Sequence, residues 1–146
     1  MPTAARLVGA LSLDLLGYAV SEMIIDVMVW RSEFGWFIPL NVALGAVFGW
    51  RTIGGNVGHG MREAISSGIG ALVLMVLTAL FLQSGNMMIA KSMDRRYDGP
   101  FEAVLDIAVI GYENFLIMAE PQILGALVAG AILCGTLAEW ASRRRR

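Results

Sequence analysis

The sequence predicts an all-α membrane protein: a single domain, 1–146, of four transmembrane helices plus an amphipathic periplasmic or interfacial helix. Three observations carry that prediction. Of 146 residues, 57% are hydrophobic and only 16% charged, against roughly 25% charged in soluble domains, and the mean hydropathy is +0.66. The apolar residues gather into runs of membrane-crossing length, for which about 20 helical residues suffice. The main polar interruption, Asp94-Arg95-Arg96-Tyr97-Asp98-Gly99-Pro100-Phe101-Glu102, contains a breaker: Gly reaches φ values other residues avoid, and Pro lacks an N–H and pushes its neighbour out of the α region. One helix must end there and another begin.

The first span is expected over 8–30. Asp14 interrupts it and no small-x-small cleavage site follows, so it reads as a retained helix and not a signal peptide. The second, 34–50, is shorter; Trp36 and Trp50 bracket it as interfacial anchors, and Pro39 lies near its start, where a missing N–H is tolerated. Residues 51–62 turn back through Gly54-Gly55-Asn56-Val57-Gly58-His59-Gly60. That glycine density resembles a phosphate cradle, but no strand precedes it and no Lys-Ser/Thr follows, so a flexible cytoplasmic turn is expected. The third span is 64–82, and its helix should continue through Gln83, Asn86 and Lys91 towards Gly99-Pro100, projecting beyond the bilayer. Residues 86–120 supply the extramembrane corner and the amphipathic helix. Within 101–120, Glu102, Asp106, Glu113 and Glu120 fall in a stripe roughly 40° wide at about 100° per residue, one acidic edge between apolar flanks. Pro121 opens a fresh helix, and the last span, 123–140, ends at Arg143-Arg144-Arg145-Arg146.

Basic residues orient the chain. With a cytoplasmic amino terminus and four spans, Arg6, Arg51, Arg62 and the four terminal arginines lie inside, and Arg31, Lys91, Arg95 and Arg96 outside, in keeping with the positive-inside tendency. A fifth span at 101–120 would put either the tail or the 51–62 loop on the wrong side. Both termini are therefore expected in the cytoplasm. A net charge of −1 supplies no field to attract nucleic acid, and no zinc-type Cys/His spacing or nucleotide motif occurs. Cys134 has no partner for an intramolecular disulfide and sits in an apolar run where a thiolate is costly. No cofactor is expected.

Asp14, Glu22 and Asp26 lie on the first span, where an ionised group costs about 2.5 to 3.5 kcal/mol at the bilayer centre. They occupy an arc of roughly 120° and are able to face one interior or one crevice together. Counting about 1.5 Å per residue, Glu22 and Asn41 reach similar depth and are positioned to hydrogen-bond. One reading is a proton or cation relay; the other is polar contact between helices, with Asp14 protonated by desolvation and Asp26 at the headgroups. Small residues recur every fourth position, at Gly17 and Ser21, at Asn41, Gly45 and Gly49, and at Ala126 and Gly130, a pattern that permits close backbone approach within the chain or between chains.

In the corner, Arg95 and Arg96 suit an oxyanion or lipid phosphate, or else pair with Asp94, Asp98 and Glu102 to lock the break. The acidic stripe suits divalent cations or is the solvated edge of an interfacial helix, the favoured reading because its carboxylates are spread along the helix. Met87, Met88 and Met93 offer soft sulfur, yet with no nearby His or Cys they read as gap fillers. His59 is the single histidine, too isolated for a triad. Glu139 and Arg143 form a favourably oriented i,i+4 pair, and the arginine tail reads as an anchor on anionic lipid.

The segments Gly85-Asn86-Met87-Met88 and Phe101-Glu102-Ala103-Val104, together with the opening Met1-Pro2-Thr3-Ala4-Ala5-Arg6-Leu7-Val8, resemble the TrgA family of small bacterial inner-membrane proteins, and the likeness runs nearly end to end. The resemblance implies an inner-membrane location and a link to tellurite tolerance. Taken with the residues, it points away from an enzyme and towards an indirect role as a small scaffold or permease-like component. The alternatives are a structural accessory subunit of a larger membrane complex and an ion-coupled transporter using Asp14 and Glu22. Membrane lipids are the expected surroundings. A thin bundle of this size also implies self-association or a membrane-protein partner.

Overall fold

Glycine and proline set the helix ends. In the computed structural model, which describes residues 3–28, 35–93 and 98–144, the described residues form helices α1 (Thr3–Val27), α2 (Phe37–Phe48, prolonged by a π-helical turn over Gly49–Ile53), α3 (Met61–Met93), α4 (Pro100–Met118) and α5 (Pro121–Arg143). Gly60, at φ 116°, lies just before α3, in a region L side chains rarely adopt. Extended Gly99 precedes α4 with Pro100 in its first turn, and extended Glu120 precedes α5 with Pro121 likewise. Proline suits these positions because a first-turn N–H has no intrahelical acceptor to lose.

Three helices, α1, α3 and α5, are long and apolar enough to cross a membrane, while Phe37–Ile53 is apolar but shorter. That composition fits a multi-pass membrane protein. The second helix begins at Phe37 and reaches Ile53, so it sits a few residues later than the 34–50 expected, because the π turn carries it through Trp50 and Arg51. Helix α4 stops at Met118, and Glu120 stands outside it. The acidic edge therefore comprises Glu102, Asp106 and Glu113 alone, because the break before Pro121 ends the helical periodicity that would have carried Glu120 onto it.

Four helices form an antiparallel bundle in the cyclic order α1, α2, α3, α5. Glycines bring two of its seams to backbone contact. Between α1 and α2, a Cβ on Gly45 would lie 2.8 Å from the Leu13 carbonyl oxygen, one on Gly17 would lie 3.0 Å from the Asn41 carbonyl oxygen, and one on Gly49 would meet the Gly9 carbonyl. Between α3 and α5, Gly68 lies against the Ala131 carbonyl and Gly135 against that of Ala64. Lipid is as apolar as the helices, so association rests on such dispersion contacts and on interhelical hydrogen bonds. Gly130 instead receives the Leu16 side chain.

The interior has two apolar layers, one of Val20, Ile24, Leu72, Ile123 and Leu127 with their neighbours, and one around Leu13, Ile53, Ala71, Met75 and Cys134. Helix α3 has 33 residues, about 50 Å, whereas α5 has 23, about 35 Å. Ala131 and Gly135 of α5 meet the first half of α3; α4 covers the second half, with Gly111 against Ser84 and Asp106 bridged to Lys91. So α4 and α5 follow one another along α3, and the α3–α4 hairpin stands beyond the four-helix bundle. Ile117 and Met118 tie its base to the first layer.

Candidate functional site

Two buried polar side chains, Ser21 and Asn41, meet on the α1–α2 seam. Absence of side chains at Gly17 and Gly45 draws the helices together and leaves Ser21 and Asn41 facing across the gap, 1% and 7% exposed. Asn41 donates through Nδ2 to Ser21 Oγ at 2.9 Å, and Ser21 Oγ donates to the Gly17 carbonyl at 2.6 Å. Every described donor in this chain of bonds is satisfied inside the apolar interior, which is what a buried hydroxyl and amide require. Beside them is a cavity of about 30 Å³ whose walls, Leu16, Leu72, Met75 and Val76 among them, are otherwise apolar. That is room for a water or two.

Asn41 therefore bonds to Ser21 and not to Glu22. Ser21 and Glu22 stand at nearly the same depth but differ by about 100° in azimuth, and the glycines of the seam select the former. Asp14, Glu22 and Asp26 do not share an interior either. Glu22 and Asp26 are exposed on the outward stripe of α1 with Leu11, Leu15 and Tyr18. Asp14 is half-buried at the edge of the seam, its Cα 2.9 Å from where a Gly45 Cβ would be, and its Oδ1 is buried without a hydrogen-bond partner.

A second polar cluster closes the end of the bundle where the described arginines gather. Glu139, 2% exposed, accepts the Gly58 N–H at Oε2 (2.7 Å) and the Arg143 Nε–H at Oε1 (3.2 Å). The i,i+4 pair was legible; the bond to Gly58, whose φ of 94° turns its N–H inward, was not. This carboxylate fastens the glycine loop to α5, so the loop is a clamped turn. Exposed His59 interacts with its own loop, Nδ1 lying 3.3 Å from the Asn56 carbonyl. Arg6 packs its stem on Gly54, and Arg144 stacks over Trp140, 4.3 Å from the ring centroid.

At the corner, Asp98 donates its backbone N–H to Glu102 Oε2 at 3.1 Å, so Glu102 reaches back over the start of α4 in the manner of a capping box. Arg95 and Arg96, with Asp94, lie outside the described residues. Asp106 is not a solvated edge residue, because Lys91 bridges it at 2.9 Å. Among the methionines, Met87 and Met88 are half-buried, while Met93 is 81% exposed and fills no gap. Among the described residues no three His, Cys, Asp or Glu side chains converge on a metal-sized site. Comparison with family models, curated proteins and solved structures gave no match.

Proposed function

We propose that this chain is a bacterial inner-membrane protein of four spans, carried by α1, α2 with its π turn, the first half of α3, and α5, with both termini cytoplasmic and the α3–α4 hairpin in the periplasm. Arg6, Arg51, Arg62, Arg143 and Arg144 lie at element ends that the antiparallel order puts on one side of the bundle, which positive-inside bias makes cytoplasmic. Trp50 and Trp140, 40% and 53% exposed near that end, suit the headgroup level. The 17 or so residues of Phe37–Ile53 reach about 25 Å, a shortfall that local thinning accommodates at modest cost.

Its role is that of a small scaffold, not an enzyme, linked to tellurite tolerance through the TrgA resemblance. The backbone-to-backbone packing of both glycine seams carries this reading: it favours a rigid bundle that presents surfaces over one that opens a substrate path. Growth on tellurite of a strain lacking the gene tests it, with complementation by wild type and by Arg95→Ala/Arg96→Ala at equal membrane abundance. Sensitisation rescued by wild type supports the tolerance link, and failure of the double variant locates it in the corner. An unchanged tolerance on deletion removes the link.

The buried Oδ1 of Asp14 favours a second reading, a proton or cation relay, since polar groups in a span are usually partnered. Asp14→Asn inserted at normal levels decides between them: retained tolerance and ion flux leave the scaffold, whereas loss of both establishes the relay.

A further inference from the structure

Arginines crowd one end of the bundle, and one of them, Arg6, is folded into it. The π turn over Gly49–Ile53 packs against the start of α1: Gly49 and Ile53 meet Gly9, and the next residue, buried Gly54, lies on Cα and Cγ of Arg6. The stem of Arg6 is thereby held and its Nε buried, yet that N–H has no acceptor. A charged donor shut away from water and left unbonded is unfavourable. The protein supplies no carboxylate to it. Glu139, the buried acid at this end, is occupied at both oxygens, by Gly58 and by Arg143. Neither Arg6 nor exposed Arg51 and Arg62 takes part in an ion pair among the described residues.

Depth identifies the missing acceptor. Leu16 meets Gly130 across the antiparallel α1–α5 pair; Arg6 and Trp140 each stand ten residues from that contact and so share one level. Trp140 is 53% exposed, with Arg144 over its ring, the setting of a tryptophan at the headgroups. The acceptor available at that level is a lipid phosphate. We infer that Arg6 seats the phosphate of an anionic phospholipid, with Arg51, one turn before Gly54, as a second guanidinium at the rim. Guanidinium forks match phosphate oxygens two at a time, and basic pockets between spans on the cytoplasmic side bind anionic headgroups. The inference rests on the proposed topology for the choice of leaflet. It is distinct from the general attraction of the terminal arginines, because it depends on one guanidinium fixed by packing.

Brominated lipids test the seat. The full chain carrying Trp30→Phe and Trp36→Phe keeps Trp50 and Trp140, both at this end. In phosphatidylcholine vesicles, a small fixed fraction of brominated phosphatidylglycerol should quench their fluorescence several-fold more than the same fraction of brominated phosphatidylcholine. Arg6→Gln should abolish that excess. Arg6→Lys, which keeps stem and charge but not the fork, should lose most of it, and Arg62→Gln should retain most of it; equal quenching by brominated phosphatidylcholine shows that the variants insert alike. No excess at all, an excess that survives Arg6→Lys, or one that falls as far in Arg62→Gln means diffuse attraction and overturns the seat. An excess removed by millimolar inorganic phosphate, but not by chloride of equal ionic strength, would make the ligand a free anion and overturn the lipid assignment. Separately, a membrane-impermeant maleimide added to intact cells should leave His59→Cys unlabelled in a Cys134→Ala background. Labelling there would overturn the topology and the choice of leaflet, while the vesicle result still decides the phosphate seat.

Discussion

Replacing Gly45 with alanine adds one methyl group where the α1–α2 seam has no space for it. The new Cβ would lie 2.8 Å from the Leu13 carbonyl oxygen, 2.9 Å from Asp14 Cα and 3.0 Å from Leu13 C, where ordinary contact begins near 3.4 Å. All three are backbone atoms, so no rotamer change relieves them, and the helices must part by about half an ångström. Overpacking of this kind costs about 1 to 3 kcal/mol. Alanine's advantage over glycine in a helix returns about 0.5 to 1 kcal/mol, leaving a net destabilisation of up to about 2.5 kcal/mol, with about 1 as the mid-range value. Gly125→Ala is the matched control, because a Cβ there meets nothing within 4 Å, and it should be neutral or stabilising by up to about 1 kcal/mol. Titration of purified protein in mixed micelles with dodecyl sulfate, followed by the fluorescence of its four tryptophans, should shift the Gly45→Ala midpoint down and leave Gly125→Ala unchanged or raised. Equal midpoints would refute the backbone-contact account of the seam.

Asn41→Ala should cost about 0.6 kcal/mol, and at most about 1.7, the range measured for interhelical hydrogen bonds in membranes; Ser21→Ala added to it should cost little more, and full additivity of the two would show that they do not act as a pair. Glu139→Ala leaves the half-buried Gly58 N–H without its acceptor, a loss of at most about 1 to 3 kcal/mol, and should speed tryptic cleavage at Arg51 or Arg62 in inside-out vesicles, with Glu139→Gln in between; unchanged cleavage would mean that the clamp does not hold the loop. Lys91→Ala should cost less than about 1 kcal/mol, since its ion pair with Asp106 is partly exposed, and the cost should vanish at molar salt; a cost that persists would indicate that packing of the lysine stem, not charge, joins α3 to α4.

The chain's punctuation was legible because it is local. Gly99-Pro100 and Glu120-Pro121 act through φ and a missing N–H, properties readable without knowing any neighbour, and the helix of α3 runs past Lys91 to Met93 for want of any such break. The small residues at Gly17, Gly45 and Gly49 announced close approach, yet which helices approach depends on the antiparallel order. Azimuth was lost for the same reason. Depth along a span follows from counting, but whether Ser21 or Glu22 meets Asn41 depends on how α1 is rotated, and that is set by Gly9 and Gly17 packing against α2. The Glu139 clamp on Gly58 joins residues 81 apart in sequence, and no periodicity connects them.

The unequal lengths of α3 and α5 account for the position of everything polar outside the bundle. Beyond Thr78, which the register of Gly68 on Ala131 sets opposite the start of α5, the last turns of α3 extend about 22 Å, and a lone helix there would expose both its apolar side and buried Ser84. Helix α4 covers that side, and the pair is fixed at one end by Ile117 and Met118 on the bundle and further out by Lys91 to Asp106. Covering α3 with a helix that is itself apolar transfers the exposed surface outward, from α3 to the Phe101–Phe115 side of α4. Length mismatch within one chain thus leaves an apolar surface on the outer side of the hairpin. Glu102 and Glu113, exposed between the covered and uncovered faces, are the part of α4 suited to remain in water.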